Sequence, residues 1–172
     1  PDHVWEPQTT KLLKILSKNL KTIIIGGAFF GDHAIIISKY FRNNDSICYA
    51  FEPNKNQFNL LKQNLKLNKI KNCKIYNKAL FNKNDKFVNL VQPNYNKNKP
   101  KVFSGSDQGN YFVNEVSRNN KNKINTTTIN EFTNKEKINN IGLILLDLEG
   151  GELNALKGSS NFLKKDVKDY PI

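Results

Sequence analysis

The chain has 172 residues, 38% of them hydrophobic and 10% aromatic, with a formal net charge of +12. That composition fits one globular domain with a real core and excludes a disordered chain. No apolar run approaches the roughly 20 residues of a membrane span; the longest candidate, TIIIGGAFFGDHAIIIS, is broken by Gly26, Gly27, Gly31, Asp32 and His33.

The start, PDHVWEPQTT, lacks the basic and then apolar pattern of a signal peptide. The chain contains no Met, and KDYPI at its end reads as the beginning of another strand, so the sequence is expected to be a fragment, truncated at the C-terminus. Cys48 and Cys73 are too few for a disulfide framework and are not spaced as a zinc site. Both fall in strand-like segments, as buried thiols of a reducing, cytoplasmic compartment do. The positive charge is almost all Lys, with only Arg42 and Arg118, and it rises together with Asn in PNYNKNKPK and SRNNKNKIN. A nucleic-acid surface usually carries Arg for bidentate contacts and aromatics for stacking. The charge therefore reads as compositional bias and argues against a nucleic-acid partner.

In chain order, 8–20 (QTTKLLKILSKNL) carries apolar residues at 12, 13, 16 and 20 and predicts a helix capped by Thr9 or Thr10. KTIIIGGA predicts a buried strand, and a helix begins near Gly31 with Asp32 in its first turn. SICYAFE (46–52) predicts a second strand. Residues 53–68 predict a helix capped by Asn54, striped by Phe58, Leu61 and Leu65 and closed by Asn68. NCKIYNKAL (72–80) predicts a third strand. This alternation argues a doubly wound, mostly parallel α/β sheet. Residues 86–132 read as an irregular insert: a strand at 86–92, a polar loop over 93–110, and a strand with a short helical turn over 123–132. IGLILLDLE (141–149) is the most apolar strand, and GELNALKG follows as a helix with Leu153 and Leu156 inward and Gly158 as its stop. No repeat or domain boundary is evident, so 1–172 reads as one domain, with its ligand-binding half in 21–80 and a strand and helix with an acidic motif in 141–160.

In an open α/β sheet, ligands bind at the carboxyl ends of the strands. Three polar clusters fall there: the glycine turn GGAFFGD, Glu52-Pro53, and Asp147, Glu149 and Glu152. The turn is not a strict GxGxxG, and tight strand–helix packing explains it as well as ligand binding does. Glu52 lies about 20 residues past the turn, where an acid can accept hydrogen bonds from ribose hydroxyls. Glu152 in a first helical turn complements the helix dipole. Asp147, at the tip of an apolar strand, needs a partner or a function.

The succession of glycine turn, AFEPNKNQFNLLKQNLKLN, NKAL, TTTINEF and ILLDLEGGELNALKGS resembles the FkbM-type methyltransferases from Trp5 to Ser160. The resemblance implies a Rossmann-like fold of the class I methyltransferase type. It implies methyl transfer from S-adenosylmethionine, leaving S-adenosylhomocysteine, to a small-molecule hydroxyl such as that of a saccharide. Gly27, Ala28 and Gly31 match the turn facing the cofactor's methionine end. Glu52, followed by Pro53, matches the ribose-binding acid, and Asn77, Lys78 and Ala79 match the segment near the adenine. Asp147, Glu149 and Glu152 match the family's D-x-E-G-x-E. The family turn D-x-G-A-N-x-G is altered here: its acid is Ile25 and its Asn is Phe29. Asp147 is the first catalytic candidate, as base or as orienter of a hydroxyl; Glu149 is the second and His33 the third. Two carboxylates could hold Mg²⁺ with waters, but no metal ligand is predicted. The alternatives are a degenerate methyltransferase fold without catalysis, a methyltransferase acting on nucleic acid, and a nicotinamide-dependent dehydrogenase, against which the missing GxGxxG speaks.

Overall fold

The computed structural model describes residues 5–91, 112–117 and 123–164. Helix α1 (Pro7–Leu16) runs into a 3₁₀ turn at Ser17–Asn19. It starts earlier than the threonines suggest, because Pro7 takes the first helical position, where its missing N–H costs nothing. Thr10 is therefore inside the helix, donating its hydroxyl to the Trp5 carbonyl at 3.0 Å. Strand β1 (Thr22–Gly26), helix α2 (Asp32–Tyr40), strand β2 (Ile47–Phe51), helix α3 (Lys55–Leu67) and strand β3 (Cys73–Tyr76) follow as expected. Asn54 caps α3, its side chain accepting from the Asn56 and Gln57 amides. Leu61 and Leu65 face the core, with Gln57 buried beside them.

The predicted strand 72–80 is in fact two strands in two sheets. Strand β2 ends at Phe51, opposite Tyr76, so the chain beyond Tyr76 has no partner there. Ala79–Leu80 form a separate strand, β4, paired with β7 (Ile124–Thr127). The stretch read as an irregular insert is more regular than that. Strand β5 (Phe87–Val91) pairs antiparallel with both β6 (Phe112–Glu115) and β7, giving a second sheet in the order β4-β7-β5-β6. The predicted polar loop 93–110 lies outside the described residues. Helix α4 (Ile129–Lys135) starts at Thr128, whose hydroxyl accepts from the Glu131 amide.

Strand β8 (Leu143–Leu146) returns to the first sheet, which is all parallel in the order β3-β2-β1-β8. Side chains alternate across it. Ile23, Ile25, Cys48 and Ala50 pack with Leu13, Ala34, Ile37, Leu61 and Leu65, from α1, α2 and α3. Ile24, Tyr49 and Phe51 pack with Phe132 of α4, Ala155 of α5 (Glu152–Lys157) and Phe162 of α6 (Ser160–Leu163). Each fully buried Ile or Phe contributes about 1.5–3 kcal/mol. Phe51 stacks on Tyr76 at 5.1 Å and meets the Phe132 edge at 4.9 Å.

Leu153 and Leu156 do not point inward. They are 63% and 38% exposed, and the inward face of α5 is Ala155, continued by Gly158 and Ser159. Close approach explains this: a Cβ on Gly158 would meet the Phe81 carbonyl oxygen at 2.2 Å. A helix held that near its neighbour admits only small residues.

Candidate active site

The parallel register puts the ends of three strands side by side. Gly26 of β1 is opposite Phe51 of β2 and Leu146 of β8. The residues that follow, Gly27, Glu52 and Asp147, therefore emerge at one edge of the sheet. This is also where strand order reverses, since β1 leads on one side to β2 and on the other to β8, and such a point opens a crevice.

The turn after β1 is tied down by backbone bonds. The Gly27 and Ala28 amides donate to the Phe51 carbonyl at 2.9 and 3.0 Å, and the Gly31 amide donates to the Ala28 carbonyl at 2.8 Å. Gly27, at φ 78°, has no room for a side chain: a Cβ would lie 1.9 Å from the Asp147 carbonyl oxygen. Gly31, at φ 99°, has Leu61 Cδ1 2.7 Å from where its Cβ would be. Both glycines are thus required by the protein's own packing. Phe29, at φ 47°, occupies the left-handed region that Asn tolerates far better. Ile25 is 2% exposed among the apolar side chains of the α1–α3 layer, so no acid serves the turn from that position.

Glu52 is the most constrained polar residue here. It is 6% exposed. Its Oε2 accepts from the Phe29 amide at 2.8 Å and its Oε1 from the Asn54 amide at 2.7 Å. Burial pushes its pKa up to about 7, against the pull of those two amides. Asn77 closes the same corner, donating to the Glu52 and Pro53 carbonyls at 2.8 and 3.0 Å. Gly27, Ala28, Gly31, Glu52, Pro53 and Asn77 therefore form one hydrogen-bonded unit. Lys78 is half-buried next to it, whereas the Ala79 side chain is buried in β4.

On the β8 side, Glu152 organises the acidic turn. Its carboxylate accepts from the Leu148 amide at 2.7 Å and from the Gly150 amide at 3.1 Å. Partial desolvation works against ionisation, but amides of Glu152, Leu148 and Gly150 outweigh it and hold the carboxyl below its usual pKa. This fixes Glu149 and Gly150 in left-handed conformations at φ 51° and 97°. Glu149 is exposed, and partial desolvation with its neighbours Asp147 and Glu152 raises its pKa. The Asp147 carboxyl is raised by partial desolvation first, then by Glu6 and Glu152, with Asp32 adding to this and His33 opposing it. His33, in the first turn of α2, meets Glu6 with Nε2 3.3 Å from Oε2.

The structure thus brings Asp147 and His33 within electrostatic reach, and Asp147 and Glu149 are both exposed at the turn. Glu6 was not singled out from the sequence: 27 residues separate it from His33, and nothing local announces the contact. Asn64, whose side-chain amide donates to the Phe30 carbonyl at 2.8 Å, is a second support of the turn with no local signal. Cys48 and Cys73 are both free thiols and sit opposite one another in β2 and β3. Among the described residues, no group of three His, Cys, Asp or Glu is placed to hold a metal ion, and no helix is long and apolar enough to cross a membrane.

These features define a Rossmann-like α/β domain with a strand-order switch at the ends of β1 and β8. The chain belongs to the FkbM methyltransferase domain family, whose profile matches residues 26–168. No curated protein sequence matches it. Solved structures resemble part of it. An O-methyltransferase from Bacillus cereus in complex with SAH is 15% identical, over 44% of this chain and 36% of that one, with a TM-score of 0.39. The O-methyltransferase TomG from Streptomyces achromogenes, in complex with SAM, is 18% identical over 44% and 34%, with a TM-score of 0.38. An rRNA methylase from Streptococcus thermophilus is 12% identical over 42% and 41%, with a TM-score of 0.37. The chain thus covers well under two thirds of the length of these structures.

Proposed function

We propose that this chain transfers a methyl group from S-adenosylmethionine to a hydroxyl of a small molecule such as a saccharide. The observation that carries the reading is Glu52. Each of its oxygens accepts one backbone amide, and a carboxylate oxygen has capacity for a further donor. A buried carboxylate with two acceptor sites left, and no cation bonded to it among the described residues, suits a ribose diol. Glu52 would hold the ribose. The turn at Gly27, Ala28 and Gly31 would lie beside the methionine end, and Pro53 with Asn77, Lys78 and Ala79 would border the base. When bound, the cofactor supplies an electrophilic sulfonium methyl.

The protein's share is to orient the acceptor and take its proton. Asp147 is the group for that step. Its ionised carboxylate accepts the hydroxyl proton, and its raised pKa strengthens it as an acceptor. Glu149 and His33 border the same edge as secondary candidates. The test is transfer of label from methyl-labelled S-adenosylmethionine to a panel of sugars and other alcohols. Asp147→Asn is expected to slow transfer about 10²–10⁴-fold, the range for loss of a general base. Label appearing only in RNA or DNA would contradict the small-molecule reading.

One observation favours a second reading, a fold that has lost catalysis. Ile25 is sealed in the core where the family carries an acid, and Phe29 takes the place of the family's Asn. Absence of transfer to every acceptor class, with cofactor binding intact, would favour it.

A further inference from the structure

Glu6 occupies the position that should cap α1, and it does not cap it. Its side chain makes no bond to the first-turn amides of its helix and is free to reach elsewhere. Its backbone is left-handed, at φ 43° and ψ 68°, a costly state for a side-chain-bearing residue. A residue held in that backbone state points to a constraint from elsewhere. The carboxylate is turned to α2, where Oε2 lies 3.3 Å from His33 Nε2. The His33 side chain is 12% exposed, and its Nδ1 is buried without a hydrogen-bond partner among the described residues. With Nε2 held by an acceptor, the neutral ring carries its proton on Nε2 and leaves Nδ1 bare.

We propose that Glu6 is a positioning residue of the site at the ends of β1 and β8: its carboxylate holds the His33 imidazole through Nε2, beside the glycine turn that α2 follows. This rests on the reading of Asp147 as the proton acceptor. Among the described residues, the charged groups acting on this corner are Glu6 before α1, Asp32 and His33 on α2, Asp147 after β8 and Glu152 on α5. Asp32 is engaged locally, accepting from the His33 amide at 2.8 Å, and Glu152 is engaged by its turn. Glu6 is therefore the carboxylate bonded to the ring. Its charge also raises the Asp147 carboxyl, which His33 opposes. An N-terminal residue thereby joins α1 to the chemistry of the strand ends.

The test separates charge from geometry. The chain has two histidines, so a His3→Gln background assigns the His33 ring nitrogens by NMR. Wild type is expected to show the Nε2–H tautomer at alkaline pH. Glu6→Gln keeps an acceptor for that proton but removes the charge, so the tautomer stays while the Asp147 titration, followed by carboxyl ¹³C shifts, moves down. Glu6→Ala is expected to lose the Nε2 hydrogen bond, seen as a shifted and faster-exchanging Nε2 proton, together with the Asp147 response. An unchanged Nε2 proton and unchanged Asp147 titration in Glu6→Ala would overturn the proposal, and a purely structural role for Glu6 would lower stability without moving either signal. S-adenosylhomocysteine binding, measured on the same samples, keeps the two readings apart. Absent binding with both NMR responses present contradicts the cofactor reading; binding with both responses missing contradicts only the role of Glu6.

Discussion

Glu52 should leave a signature in stability against pH. Its carboxyl is buried and titrates near 7 in the fold, against an ordinary value of 4.5. A pKa raised on folding means that the fold favours the protonated form. The associated stability is fully present below pH 4.5 and is lost as pH rises to about 7. At about 1.36 kcal/mol per pKa unit, ionisation costs the fold about 3 kcal/mol by pH 8. Glu52→Gln cannot ionise. It can accept with only one oxygen, so one of the Phe29 and Asn54 amides loses its partner, at a pH-independent cost of about 1–3 kcal/mol. Urea unfolding of both proteins from pH 4.5 to 8.5 isolates the titrating part. Wild type is expected to lose about 3 kcal/mol relative to the variant across that window and nothing further above it. Parallel profiles, or a relative gain by wild type at high pH, would refute the assignment of a buried, desolvated carboxyl.

Three other changes test the geometry around it. Gly27→Ala drives a methyl into the Asp147 carbonyl at a left-handed backbone position. It is expected to cost about 2–5 kcal/mol in chemical unfolding, from strain and overpacking together. Glu152→Ala removes the acceptor for the Leu148 and Gly150 amides and is expected to cost about 1 kcal/mol at pH 7. Because that carboxyl is held below its usual 4.5, the wild-type advantage belongs to the ionised form and shrinks as pH falls below 4.5. On α5, Leu153→Ser is expected to change stability by no more than about 0.5 kcal/mol, whereas Ala155→Leu costs about 1–3 kcal/mol. Equal effects of these two would contradict the observed orientation of the helix.

Much of the first sheet was legible because its signals are local. IIIG and ICYAF are apolar runs bounded by turn residues, and Asn54 caps α3 as its position predicts. The misreadings lie where tertiary contacts decide. No propensity in NCKIYNKAL marks the break after Tyr76; it comes from β2 ending at Phe51. Periodicity put Leu153 and Leu156 inside, but the approach of Gly158 to Phe81 turned α5 so that Ala155 faces in. Glu52 and Asp147 stood out because a carboxylate at the end of an apolar strand has few bland explanations. The glycine turn was ambiguous in sequence, and the structure accounts for Gly27 and Gly31 by packing alone. Glu6 was invisible, since its partner His33 belongs to another helix.

The most direct test of the central claim is calorimetric titration of S-adenosylhomocysteine at pH 8, where Glu52 is ionised, into the wild-type chain and into Glu52→Ala. Micromolar binding that the variant loses is the predicted result, and it would place the cofactor at the end of β2 despite Ile25 and Phe29. Absence of binding to wild type, or equal binding to both proteins, would contradict it.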